Sequence, residues 1–260
     1  MGSGRDRKVW AGAVAALALV IVPIALAGGQ PVVRLNPADQ AAAKAATLKL
    51  SDFVSGFGWK GGAKKPSFAA DNTCGVERSD LVITGAARSE FSAAGGAAQV
   101  RNETYVLETP GMVSAEWQRS VGSAAFWACQ LKEYAKPAPD FKLVSFKKVA
   151  FPKLTRYSAR YRLVADFGKP GSARRMVSDT VVLGHGRNEI TLVFAAPYAD
   201  RAGVEWGVRQ LAQLLVSRIG TSPPVDRREV GGQSKGQPVG GRRFQLYDVL
   251  VEVTRNPAPT

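Results

Sequence analysis

From residue 156 onward the chain alternates. Tyr157, Ala159, Tyr161, Leu163, Ala165 and Phe167 interleave with Arg156, Ser158, Arg160, Arg162 and Asp166. A period of two predicts a β-strand over 156–167 with one face on a core and the other wet and positive. A wet face implies an antiparallel sheet covered on one side. Shorter apolar runs predict further strands at 81–84, 99–109, 143–151, 175–183 and 189–196. Gly184-His185-Gly186-Arg187 reads as a hairpin turn between the last two. Pro110-Gly111 reads as the end of the 99–109 strand.

Elsewhere the period is helical. Asn36 is a good N-cap, Pro37 suits the first helical position, and Asp39 complements the positive helix end. A helix is therefore expected over 37–49. Trp117, Val121, Ala124, Ala128 and Leu131 form one apolar stripe, which predicts a single helix over 114–134, capped by Ser114 and stopped before Pro137. Val204, Val208, Leu211, Leu215 and Ile219 stripe a last helix, capped by Asp200 and ended by Gly220.

The segment 51–66 carries Gly56, Gly58, Gly61 and Gly62 among Phe53, Phe57 and Trp59, and reads as a loop. Its three aromatics suit either a lid packed on the sheet or the rim of an apolar ligand groove. Residues 28–35 read as an extended connector. Residues 221–260 read as a flexible, basic, Gly/Pro-rich tail, with 244–253 as an optional short strand. The domain itself is expected at 36–220.

Residues 1–27 differ in kind. Arg5, Arg7 and Lys8 precede an uncharged apolar run from Val9 to Ala27. This is an export segment, either a signal peptide cleaved after Ala25-Leu26-Ala27 or a retained transmembrane anchor. Both leave the positive end inside and the domain outside. No cysteine lies near the junction, so anchoring through a lipidated cysteine is excluded.

Charge and cysteines refine the picture. Lys and Arg number 35 against 21 Asp and Glu, a net charge of +14. A basic domain suits anionic lipid or an acidic cell-wall polymer, and export argues against nucleic acid. The same charges, scattered, also suit a plain solvated surface. Cys74 and Cys129 have neither CxxC spacing nor a His cluster, which argues against zinc. An exported chain with two cysteines points to one disulfide, two buried thiols being the alternative.

Catalytic signals are weak. His185, the one histidine, sits in a glycine-rich turn with no triad around it. No GK[ST] follows those glycines, so they form no phosphate loop. Asn102-Glu103-Thr104 matches a glycosylation pattern by chance. Glu103 and Glu108 lie on opposite faces of one strand and cannot pair as glycosidase carboxylates. No catalytic, cofactor-binding or metal residue is assigned.

The stretches "NPADQAAAKAATLKLSDF" (36–53), "CGVERSDLVITGAARSEF" (74–91) and "AFWACQ" (125–130) resemble exported actinobacterial proteins of unknown function. That group is similar to LpqN-type lipoproteins and the PknH-type extracellular sensor domain. The resemblance spans 36–220. It implies an α+β, PsbP-like fold: an antiparallel sheet flanked by helices. It also implies binding or assembly in place of catalysis, and it supplies no functional residue. The chain departs from the group in lacking both a lipidated cysteine and a kinase domain. The expectation is an extracytoplasmic binding or sensor-like module at the cell envelope, without a cofactor. Its partner would be an apolar or anionic envelope ligand, or a protein. An envelope enzyme and a structural or assembly subunit are the alternatives.

Overall fold

The structure, a computed structural model, describes residues 29–221 apart from 69–73, 75, 94–95, 97, 139 and 170. The segment read as an export signal, the segment read as a tail and the optional strand at 244–253 lie outside the described residues. Among the described residues no helix is long and apolar enough to cross a membrane.

Eight strands of the described residues form one sheet: β1 (Val32–Val33), β2 (Lys60–Lys64), β3 (Val82–Ser92), β4 (Gln99–Leu107), β5 (Phe141–Val149), β6 (Tyr157–Phe167), β7 (Arg174–His185) and β8 (Asn188–Pro197). Their order is β1-β3-β4-β8-β7-β6-β5, with β2 also on β3. Every pairing is antiparallel except β1 with β3. Among the described residues four helices flank the sheet: α1 (Pro37–Ala46), α2 (Pro110–Arg119), α3 (Ala124–Tyr134) and α4 (Arg201–Thr221). This is a mixed α+β fold built on a mostly antiparallel sheet.

α1 and α4 cover one face. Asn36 Oδ1 accepts from the Asp39 amide at 2.9 Å, so α1 begins where the N-cap signal places it. The α4 stripe of Val204, Val208, Leu211, Leu215 and Ile219 is fully buried against Val177, Val181, Leu183, Ile190 and Leu192. Burial of each such side chain stabilises the fold by about 2 kcal/mol.

The expected wet, positive face of β6 is not wet. Arg160 is 1% exposed. α4 passes over this face, and a charge can stay there only if it is paired. Asp179 on β7 supplies the pairing: its carboxylate accepts from Arg160 Nη2 at 2.6 Å and from Arg162 Nε at 2.7 Å. Glu205 of α4 lies 3.6 Å from Arg160 and 3.4 Å from Arg162. The alternation therefore separates an apolar face from a face of buried ion pairs, and the sheet is covered on both sides.

The expected single helix over 114–134 is two helices. α2 starts at Pro110, because Thr109 Oγ1 accepts from the Met112 amide at 3.3 Å and proline fits the first turn. Pro110-Gly111 thus opens a helix as well as ending a strand. At Ser120 the backbone leaves the helical region, with φ −111° and ψ −89°. The Gly122 amide then donates to the Trp117 carbonyl at 2.6 Å. A Cβ at Gly122 would sit 3.0 Å from that carbonyl oxygen, so glycine suits the close approach. Ser123 recaps α3 by accepting from the Phe126 amide at 3.2 Å. The break lets α3 lay Trp127 on Tyr161, ring centroids 3.6 Å apart.

The glycine-rich segment read as a loop contains β2, and the short strand expected at 81–84 extends to Ser92. Gly61 has φ +137°, and a Cβ there would meet the Glu90 carbonyl at 2.1 Å. Glycine lets β2 lie against β3, where a side chain would push it off. The connector before α1 contains the two-residue β1.

Candidate functional site

The sheet register decides which side chains share the α2–α3 face. Tyr161, which touches Trp127 of α3, pairs with Thr180; Thr180 pairs with Val193, and Val193 with Arg101. Paired residues point to one face. Arg101 pairs with Glu90, Glu103 with Arg88, and Gln99 with Ser92. On β2, Lys60 pairs with Ser92 and Lys64 with Arg88. A patch of alternate residues from three strands thus gathers at the β2–β3–β4 end. Asn102 and Thr104 point the other way: Asn102 Oδ1 accepts from the Leu48 amide at 3.1 Å, and Thr104 meets Thr47 at 3.4 Å.

A groove of about 390 Å³ runs over this patch. Lys60, Lys64, Glu90, Ser92, Gln99 and Arg101 contribute its polar lining. Its volume falls in the range of about 300–1,000 Å³ that small-molecule sites occupy. Arg101, 6% exposed, forms the floor; Glu103, 7% exposed, lies beside it on the same face, outside the lining. Lys60 and Lys64 are exposed and form the rim. Arg88 pairs with Glu90 and stands 3.5 Å from Glu103, while Arg101 stands 4.0 Å from Glu103. Four cations thus face two carboxylates. Burial, more than any neighbour, lowers the pKa of Arg101; the charge of Glu103 opposes that shift.

A second charged group lies beneath α2. Arg78 and Glu116 form a buried ion pair. Glu189 of β8 and Glu116 border one small void, which has no room for a water molecule. Burial, and then the charge of Glu116, pushes the Glu189 carboxyl up to about 7 against the pull of Arg78. Paired carboxylates of this kind can serve as acid and base. The void between them admits no substrate.

The residues singled out in the sequence are dispersed. Phe53 is buried, with its ring 4.6 Å from those of both Trp59 and Phe91. Trp59 also meets Phe194 edge-on at 6.3 Å. Both rings belong to the α1–α4 core, while Phe57 stands exposed on a short 3-10 turn. None of the three lines the groove over the β2–β3–β4 patch. His185 is exposed at the end of β7, paired with Asn188, and Glu108 lies exposed just beyond β4. Cys74 and Cys129 are joined as a disulfide. Among the described residues no cluster of His, Cys, Asp or Glu could hold a metal ion.

The groove escaped the sequence reading for an identifiable reason. Its signal is polar residues at every second position: Lys60 and Lys64, Arg88 to Ser92, and Gln99 to Glu103. The glycines of β2 hid one strand, and the polar half of β3 hid another.

No protein-family model matches the chain, and no curated protein matches it. Among solved structures it is similar to a protein of unknown function from Pseudomonas aeruginosa. The identity is 18%, over 49% of this chain and 79% of that one, with a TM-score of 0.29. It is also similar to the Ran-binding protein Mog1p of Saccharomyces cerevisiae. The identity there is 9%, over 52% of this chain and 77% of Mog1p, with a TM-score of 0.22. Likenesses this slight carry no functional weight.

Proposed function

We propose that the chain is an extracytoplasmic binding module of the cell envelope, tethered by its N-terminal segment or released by cleavage near Ala27, that holds its ligand in the β2–β3–β4 groove. The observation that carries this reading is the groove itself. It is large enough for a small ligand, floored by Arg101 and rimmed by lysines. Rigid strands hold those side chains in place, as a binding site requires. The disulfide supports an oxidising compartment. The cationic, apolar N-terminal sequence supports export.

The sheet and its flanking helices are consistent with a PsbP-like arrangement, and binding in place of catalysis accords with the chemistry on the page. Glu189, whose carboxyl burial pushes up, borders with Glu116 a void beneath α2 that has no room for a water molecule. A reporter active only outside the cytoplasm, fused after residue 221, tests the compartment. Incubating the full chain with cell-envelope fragments then separates binding from turnover. Reporter signal and retained, chemically unchanged fragments are expected. A cytoplasm-only signal, or steady release of cleaved product, would overturn the reading.

A further inference from the structure

The groove is chemically two-sided. Lys60 and Lys64 stand along one wall, with Arg88 and Arg101 beyond them on the same face. Ammonium and guanidinium groups pointing into one concavity recognise an oxyanion, because charge-assisted hydrogen bonds are about twice as strong as neutral ones. Cation pairs that are partly desolvated hold such a group better than freely solvated lysines do. Arg101 has a side-chain exposure of 8%, so one of the three lining cations is withdrawn from water.

The rest of the lining is less suited to an anion. Glu90 accepts hydrogen bonds and repels negative charge. Ser92 and Gln99 both donate and accept. The Glu90 side chain keeps 37% exposure beside the lysines, so one of its faces is available to a ligand. A carboxylate, a hydroxyl and an amide next to a cationic pocket suit the hydroxyls of a polyol. A volume near 390 Å³ exceeds what a bare phosphate needs and suits a sugar ring with its substituent.

Resting on the reading of the groove as a binding site, we infer that its ligand is an anionic saccharide unit. The oxyanion, phosphate or carboxylate, lies between Lys60, Lys64 and Arg101. The ring hydroxyls meet Glu90, Ser92 and Gln99. Phosphate and carboxylate share this chemistry, and separate probes distinguish them.

The test uses the full chain, isotopically labelled, in a neutral detergent, titrated with glucose 6-phosphate, glucuronate, glucose and inorganic phosphate. The variants are Lys60→Glu/Lys64→Glu in the groove and Lys147→Glu/Lys148→Glu on β5 at the other edge of the sheet. All four lysines are exposed, and both variants change the net charge equally. At least one anionic sugar should bind at least tenfold more tightly than glucose and than phosphate alone. The groove variant should weaken it at least tenfold, and the β5 variant should leave it within twofold. Equal weakening by both variants would mean attraction to net charge alone and would overturn the inference. So would inorganic phosphate binding as tightly as the sugars. Glucose binding in the groove more tightly than its anionic relatives would overturn the anionic class while sparing the groove as a site. Binding of none of the probes at the groove residues would also defeat the inference; an envelope ligand still mapping there would spare the broader reading.

Discussion

Cys74 and Cys129 sit with their Cα atoms 5.8 Å apart and are joined across 55 residues of sequence. The bond ties the segment ahead of β3 to α3. That segment also brings Arg78 to Glu116, so one covalent link helps hold the α2–α3 layer over the sheet. A loop of this length, closed in the unfolded chain, removes conformational freedom that folding would otherwise have to remove. Protein exported from the cell should show no free thiol under denaturing conditions. Replacing both cysteines with Ala should lower unfolding stability by about 2–4 kcal/mol. Two titratable thiols in freshly exported material would contradict the pairing.

Asp179 should be the most sensitive charged position on the α1–α4 face. It is 0% exposed and serves two arginines, one of them 1% exposed. Asp179→Asn keeps the shape and removes the charge that justifies burying Arg160. A loss of about 3–5 kcal/mol in chemical denaturation is expected. A loss under about 1 kcal/mol would show that Glu205 alone satisfies the arginines.

Glu189 gives the domain an acid-favoured term. Its carboxyl is pushed from an ordinary 4.5 up to about 7 by burial and then by Glu116, with Arg78 opposing. The folded state therefore holds this proton more tightly than the unfolded chain does. The resulting stability is fully present below pH 4.5 and is lost as the pH rises through 7. Glu77 and Asp39 act the other way. Hydrogen bonds from Ser79 and Gly29 hold Glu77 at about 2. For Asp39, burial alone would raise the value, but hydrogen bonds from Thr84, Asn36 and Arg187 together outweigh it. The contribution of those two is lost as the pH falls, so the comparison must be made against Glu189→Gln. Over pH 4.5 to 8 the wild type should lose up to about 3 kcal/mol relative to that variant. Parallel profiles would contradict the assignment.

Leu215 sits at 0% exposure in the middle of the α4 stripe. Leu215→Ala should cost about 2–5 kcal/mol, as buried leucine truncations do. Exposed Leu50, at 47%, provides the contrast, and Leu50→Ala should change stability by less than about 1 kcal/mol. Equal effects would mean that α4 does not carry the core.

Much of the fold was legible because burial writes a period into the chain. The alternation from Tyr157 to Phe167 and the stripe from Val204 to Ile219 both became elements close to where the pattern puts them. The failures have local causes. The stripe through Trp117 and Leu131 continues across Ser120–Ser123, so periodicity alone could not reveal that the backbone turns there. Arg160 was read as wet because an arginine alternating with apolar residues looks solvated; its partner Asp179 lies on another strand. The candidate site was the least legible part. Lys64, Arg88 and Glu103 lie far apart in sequence and become neighbours only through the register of three strands.

The most direct measurement is a backbone amide shift map of the full chain on adding solubilised cell-envelope extract. The largest shifts should fall on Lys60, Lys64, Glu90, Ser92, Gln99 and Arg101, and Lys60→Glu/Lys64→Glu should abolish them. Shifts centred on another surface, with these amides unmoved, would contradict the groove as the binding site.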